Sequence, residues 1–131
     1  MSEREARFDL PAGVEAPAVA RQAVRSVLHG WGYQDRRWTQ LAMVVVSELV
    51  TNSVQHVGGC LCLDVRALDA MVVVGVTDAS VAVPSLRDAD DTGGRGLVLI
   101  EALAAGWGVQ DRPGGKRVWV RLAPYPQPAR P

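Results

Sequence analysis

Residues 36–57, RRWTQLAMVVVSELVTNSVQHV, limit what this chain can fold into more than any other stretch. The run holds no glycine or proline and is mostly apolar. A helix of that length and polarity must be covered by neighbouring layers, so it reads as the central buried helix of a layered domain. Asp35 stands where an N-cap is needed, and Gly58 stands where the helix must stop. Within the run, Glu48, Asn52 and His56 are spaced four apart. Residues so spaced differ by only about 40° around a helix axis, which makes one polar stripe on an apolar rod. Taken alone, the simplest reading of the stripe is a solvated edge of a core helix. The other reading is a site.

The flanking segments define the layers. ARFDLPAG reads as a short strand ended by Pro11 and Gly13. In APAVARQAVRSVLHGWG, Val19, Ala23, Val24, Val27 and Leu28 recur at helical spacing, with Arg21 and Arg25 opposite; Gly30 and Gly32 close that helix. After residue 58, CLCLDVRAL alternates and MVVVGVTD is almost continuously apolar. With Leu68-Asp69-Ala70 between them, the two form an antiparallel hairpin. ASVAVPSLRDADDTGGRG breaks all periodicity and reads as a mobile loop. LVLIEALAAG is a short helix closed by Gly106, and WGVQDRPGGKRVWVRL is a second hairpin turning at Pro113-Gly114-Gly115. The expected class is α+β: a two-layer sandwich with helices on one face of a mixed, mostly antiparallel sheet. One domain over residues 1–123 and a proline-rich, disordered tail over 124–131 complete the organisation.

Composition narrows the function. The chain has 131 residues, 48% of them hydrophobic and 21% charged, which suits one globular core. A formal net charge of +0 argues against a general nucleic-acid binder, so no direct nucleic-acid partner is expected. No apolar run is long enough for a membrane span, and MSEREARFDL lacks the apolar segment of a secretory signal. The expected location is cytoplasmic. Of the fourteen Lys and Arg residues only Lys116 is lysine, and there is one Ile, one Phe and one Asn. All four types have AT-rich codons, so the composition points to a GC-rich gene and makes the single Asn, at position 52, conspicuous. Cys60 and Cys62 fall on one face of a strand, poorly placed for a disulfide and too few for a metal site; buried strand cysteines are expected.

Three places could carry chemistry. On the helix, the Asn52 oxygen is a hard neutral ligand suited to Mg²⁺ when phosphates supply the remaining ligands, and Glu48 one turn earlier could take a proton from an attacking hydroxyl. In VVVGVTDAS, Asp78 ends an apolar strand, where a carboxylate can accept from an exocyclic amine; a turn or cap aspartate is the plain alternative. In DDTGGRGLVLIEAL, Gly93, Gly94 and Gly96 precede a helix, and Arg95 adds a charge. Glycines let backbone approach an anion at a helix N-terminus, although an ordinary glycine-rich turn looks the same and the Walker pattern is absent. A metal-binding Asn, an amine-reading Asp and a phosphate-cradling loop agree on one ligand, a magnesium nucleotide.

The segments RFDLPAG, VVSELVTNSVQH, VTDAS…P, GGRGLVLIEALAAGWGV and GGKRVWVRL, in that order over residues 6–122, resemble the Bergerat-fold ATPase domains shared by gyrase, histidine kinases and mismatch-repair proteins. Within that superfamily the chain is most similar to the anti-sigma-factor serine-protein kinases, in particular the short actinobacterial type. The resemblance implies a Bergerat ATP-binding fold with ATP and Mg²⁺ as cofactors. It implies Glu48 as the catalytic residue, a base or a water-positioning group, Asn52 as the metal ligand and Asp78 as the reader of the adenine amino group. Gly94, Arg95, Gly96 and Leu97 would border the phosphates, with residues 79–92 as a short ATP lid. The superfamily's DxGxG is DASVA here, and Ser80 and Pro84 fit the short-regulator branch. Where the superfamily often has a threonine supporting the adenine site, the matching position is Arg117, a cation that stands beside the base or points outward.

Two functions follow from the resemblance. One is a serine/threonine-protein kinase that phosphorylates an anti-anti-sigma (STAS-type) partner. The other is a weakly active or inactive module that sequesters a sigma factor or other partner stoichiometrically, docking through the helix face near Trp31 and Trp38. The family also allows a homodimer.

Overall fold

The computed structural model describes residues 3–57, 62–78 and 100–126, with the backbone alone for 55–57. In chain order the elements are β1 (Arg4–Phe8), α1 (Ala16–Gly30), α2 (Arg36–Val57), β2 (Cys62–Leu68), β3 (Met71–Asp78), β4 (Ala104–Arg112) and β5 (Gly115–Leu122). The five strands form one sheet in the order β1-β2-β3-β5-β4, and every neighbouring pair among them is antiparallel. The mixed sheet expected from sequence is therefore wholly antiparallel across the described strands.

Alternation along the strands sorts residues onto two faces. Leu63, Val65 and Ala67 of β2, Val72, Val74 and Val76 of β3, and Val118, Val120 and Leu122 of β5 are buried together with residues of α1 and α2. The core thus lies between the sheet and one helical layer. In α1 the buried stripe is Ala16, Ala20, Val24 and Leu28, strictly four apart. Val19, expected on the inner side, is 40% exposed, because a four-residue stripe on one side of the helix is enough to meet α2. In α2, Trp38, Ala42, Met43, Val45, Val46, Leu49 and Val50 are buried, while Leu41 and Val44 face outward.

The ends of the elements follow local chemistry. Asp35 Oδ1 accepts from the Trp38 amide at 2.9 Å, the N-cap expected for α2. The first hairpin turns at Asp69-Ala70, with Asp69 at φ 55°, and the second at Pro113-Gly114, with Gly114 at φ 78°. The helical residues before β4 stop at Leu103, short of the expected Gly106. β4 starts at Ala104 with an irregularity in register between Ala104 and Gly106, since the chain there pairs with β5 and exchanges helical for ladder hydrogen bonds.

Tyr125 lies in the proline-rich stretch, yet it is packed. Its ring stands edge-on to Tyr33 and to Trp38, each at 5.0 Å between centroids. Its hydroxyl accepts from the Gln34 and Asp35 amides at 3.0 and 2.9 Å. Trp38 itself is 5% exposed and donates from Nε1 to the Ala123 carbonyl at 2.7 Å. Trp38 is accordingly taken up by the core and by Tyr125, whereas Trp31 is half-buried and Leu41 and Val44 stay exposed on α2.

Candidate functional site

The site is built on the C-terminal half of α2 and the ends of β3 and β5. On α2, Leu49, Val50 and Ser53 are buried, and Asn52 borders them at 8% exposure. Glu48, one turn earlier, is half-buried. No hydrogen bond from the described residues holds the Asn52 amide. The amide is not among the side-chain polar atoms that are both enclosed and unpartnered, so it reaches the surface and is open to solvent or a ligand. Beside Glu48, the Ser47 hydroxyl accepts from Arg21 Nη1 at 2.8 Å, which ties α1 to this part of α2.

Asp78 closes β3. It falls on the same side as Val72, Val74 and Val76 and so meets the helical layer, at 2% exposure. Its cross-strand partner on β5 is Lys116. The two side chains meet: Lys116 Nζ donates to Asp78 Oδ1 at 3.0 Å and Oδ2 at 3.3 Å. From α2, Ser53 Oγ donates to Asp78 Oδ2 at 3.2 Å. Asp78 is thus held by the helix that carries Glu48 and Asn52, and by the last hairpin. Neither Ser53 nor Lys116 emerges from the motifs of the sequence. The signal for Lys116 is the hairpin turn, which sets the β3–β5 register, together with its being the only lysine.

Arg117, expected at the adenine-supporting position, lies on the other side of the sheet. Its Nε and Nη2 donate to Asp64 Oδ2 and Oδ1 at 2.9 and 2.7 Å, and its Nη1 donates to Gln110 Oε1 at 3.0 Å. Of the two orientations open to it, Arg117 takes the outward one; strand alternation puts residue 116 on the side of Asp78 and residue 117 opposite. Among the described residues, the cation beside Asp78 is Lys116.

Gly94, Arg95, Gly96 and Leu97, the lid over residues 79–92, and the His56 side chain lie outside the described residues. Among the described residues no group of three or more His, Cys, Asp or Glu is placed to hold a metal ion. Cys62 carries a free thiol on the side of the sheet away from the core and is half-buried, less enclosed than expected; Cys60 lies outside the described residues. No helix among the described residues is long and apolar enough to cross a membrane.

The sequence profile of the histidine kinase-like ATPase domain matches residues 10–122. The chain belongs to that family. This ATPase domain also shares its fold with a solved structure of the RsbU and RsbW domains of Rv1364c from Mycobacterium tuberculosis, at a TM-score of 0.67 and 22% sequence identity. The match covers 97% of this chain and 34% of that one, so the chain spans about a third of that polypeptide's length. No curated protein sequence matches it. Membership of an ATPase family makes ATP the nucleotide to test against the site. The residues fit at two points: Asn52 offers an amide oxygen without a hydrogen-bond partner among the described residues, and Asp78 offers a fixed, buried carboxylate.

Proposed function

We propose that this ATPase domain binds Mg-ATP and acts as an anti-sigma-factor serine/threonine kinase, transferring phosphate to a hydroxyl of an anti-anti-sigma partner. The observation that carries the reading is Asn52, a residue 8% exposed whose amide takes no hydrogen bond from the described residues, one turn from Glu48 on the helix that also holds Asp78 through Ser53. Asn52 supplies its oxygen to Mg²⁺, which when bound would draw charge from the phosphate oxygens. Glu48 takes the proton of the partner's hydroxyl; its half-buried position keeps it reachable from a docked protein. Asp78 accepts from the exocyclic amine of the base, and a buried acceptor rejects bases that lack that donor. Gly94, Arg95, Gly96 and Leu97 border the phosphates in this reading. The similarity to a structure containing an RsbW domain supports the choice of partner class.

The test has two stages. Calorimetry with Mg-ATP should give binding by the wild type and a loss of about tenfold or more in Asn52→Ala, whose metal contact is gone. Labelled ATP mixed with candidate STAS-type partners should then label a partner serine or threonine, and Glu48→Gln should suppress transfer while leaving ATP binding intact. Partner capture without transfer would assign the protein to the alternative, a stoichiometric binder of a sigma factor or its regulator. No nucleotide binding by the wild type would end the reading.

A further inference from the structure

The buried ion pair at the end of β3 and β5 does not follow from the roles above. Lys116 is 5% exposed and Asp78 is 2% exposed. A lysine ammonium has three N–H donors. Nζ lies 3.0 and 3.3 Å from the two Asp78 oxygens, and no other described residue accepts from it. The carboxylate does not use up the ammonium, which keeps an N–H for an acceptor beyond the described residues, a bound ligand among them. The residue type is also informative. Lys116 is the single lysine among fourteen Lys and Arg residues. An arginine would lay a planar fork along both carboxylate oxygens and spend its geometry on Asp78. A compact ammonium on a flexible stem can hold the carboxylate and still turn one N–H elsewhere.

Donor and acceptor thus lie side by side on the core-facing side of the sheet, an arrangement that complements a base edge carrying a donor next to an acceptor. Adenine has that edge: its amino group donates, and the adjacent ring nitrogen N1 accepts. We infer that Lys116 is a base-reading residue of this site, donating its third N–H to the adenine ring nitrogen N1 while Asp78 takes the amino group. Ser53 is a positioning residue, since its bond to Oδ2 fixes the carboxylate that in turn holds the ammonium. This inference rests on the nucleotide reading proposed above and assigns that site a direct protein contact to the ring.

The experiment removes the acceptor from the ligand as well as the donor from the protein. Mg²⁺ complexes of ATP and of 1-deaza-ATP, which has carbon in place of N1, are titrated calorimetrically into the wild type and into Lys116→Met. The wild type should bind ATP about tenfold or more tightly than 1-deaza-ATP, the loss for one hydrogen bond to a charged donor. In Lys116→Met the two nucleotides should bind alike, with ATP weakened to the level of 1-deaza-ATP. Equal affinities in the wild type would overturn the role of Lys116 while leaving ATP binding in place. Tighter binding of ATP by Lys116→Met than by the wild type would also overturn it, by showing that the ammonium blocks the base. Failure of the wild type to bind either nucleotide overturns the site as a whole. Should Lys116→Met not fold, the wild-type comparison decides alone, because it needs no variant.

Discussion

Gly75 has no side chain because a guanidinium fills the place. A Cβ there would overlap Arg117 Nε and Nη2, and Arg117 cannot give way without leaving Asp64. The pair is bidentate and buried, so breaking it strands a charge. Arg117→Met should therefore lower the unfolding free energy by about 3 kcal/mol in denaturant titration. Its ATP affinity should equal that of the wild type, because Arg117 faces away from Asp78. A variant that weakens ATP binding without losing stability would return Arg117 to the base site. Cys62 differs in kind from these paired residues. Burial pushes its thiol above the ordinary cysteine range, with Asp64 adding to the effect. A raised pKa keeps the thiol protonated at neutral pH, and the thiolate is the reactive form. In a Cys60→Ser background, Cys62 should be alkylated by iodoacetamide more slowly at pH 7 than a free cysteine, with the rate climbing as pH rises through the raised pKa. A rate at pH 7 equal to that of free cysteine would remove the assignment.

At the level of elements, α2 and the β3–β5 ladder carry the site between them. The first turn of α2 is closed by Asp35 at the Trp38 amide. Asp35→Ala should cost about 1 kcal/mol, the usual value of an N-cap, read from the denaturation midpoint at unchanged slope. No shift in midpoint would mean the cap is replaced by solvent. The other end of the layer depends on Tyr125, which brings three rings together and accepts from two backbone amides of the loop between α1 and α2. Tyr125→Ala should lower stability by about 2 kcal/mol or more, combining lost ring contacts with two stranded amide donors. A variant that melts with the wild type would show that the Tyr125 ring and its hydroxyl contacts are dispensable. Elements were the most legible level of the sequence. The length of the apolar run in α2, the alternation in β2 and the continuous apolar run of β3 are properties of neighbours in the chain, and they survive folding unchanged. The end of the helix before β4 was less legible, since Ala104 and Ala105 suit either state and pairing with β5 decides between them.

Over the whole molecule, the α+β sandwich was expected from the order of its segments, and the family match over residues 10–122 agrees. Glu48, Asn52 and Asp78 could be marked as a candidate constellation because polar residues interrupt apolar periods, and such interruptions are visible in one dimension. Asn52 is the place where stability and ligand binding should separate. Without a hydrogen bond to lose among the described residues, Asn52→Ala should change the melting temperature of the ligand-free protein little, while removing most of the stabilisation that Mg-ATP confers on the wild type. Equal stabilisation of both proteins by Mg-ATP would exclude Asn52 from the metal. Lys116 and Ser53 could not be read in the same way. Which of two adjacent basic residues, 116 or 117, stands beside Asp78 depends on the register between β3 and β5, and a shift of one residue would exchange them. Ser53 reaches Asp78 only because α2 packs across the sheet at that point, a contact between positions 25 apart in sequence. Local periodicity reports which face a residue takes within its own element. Which residue it meets across an interface is set by packing, and packing belongs to the folded chain.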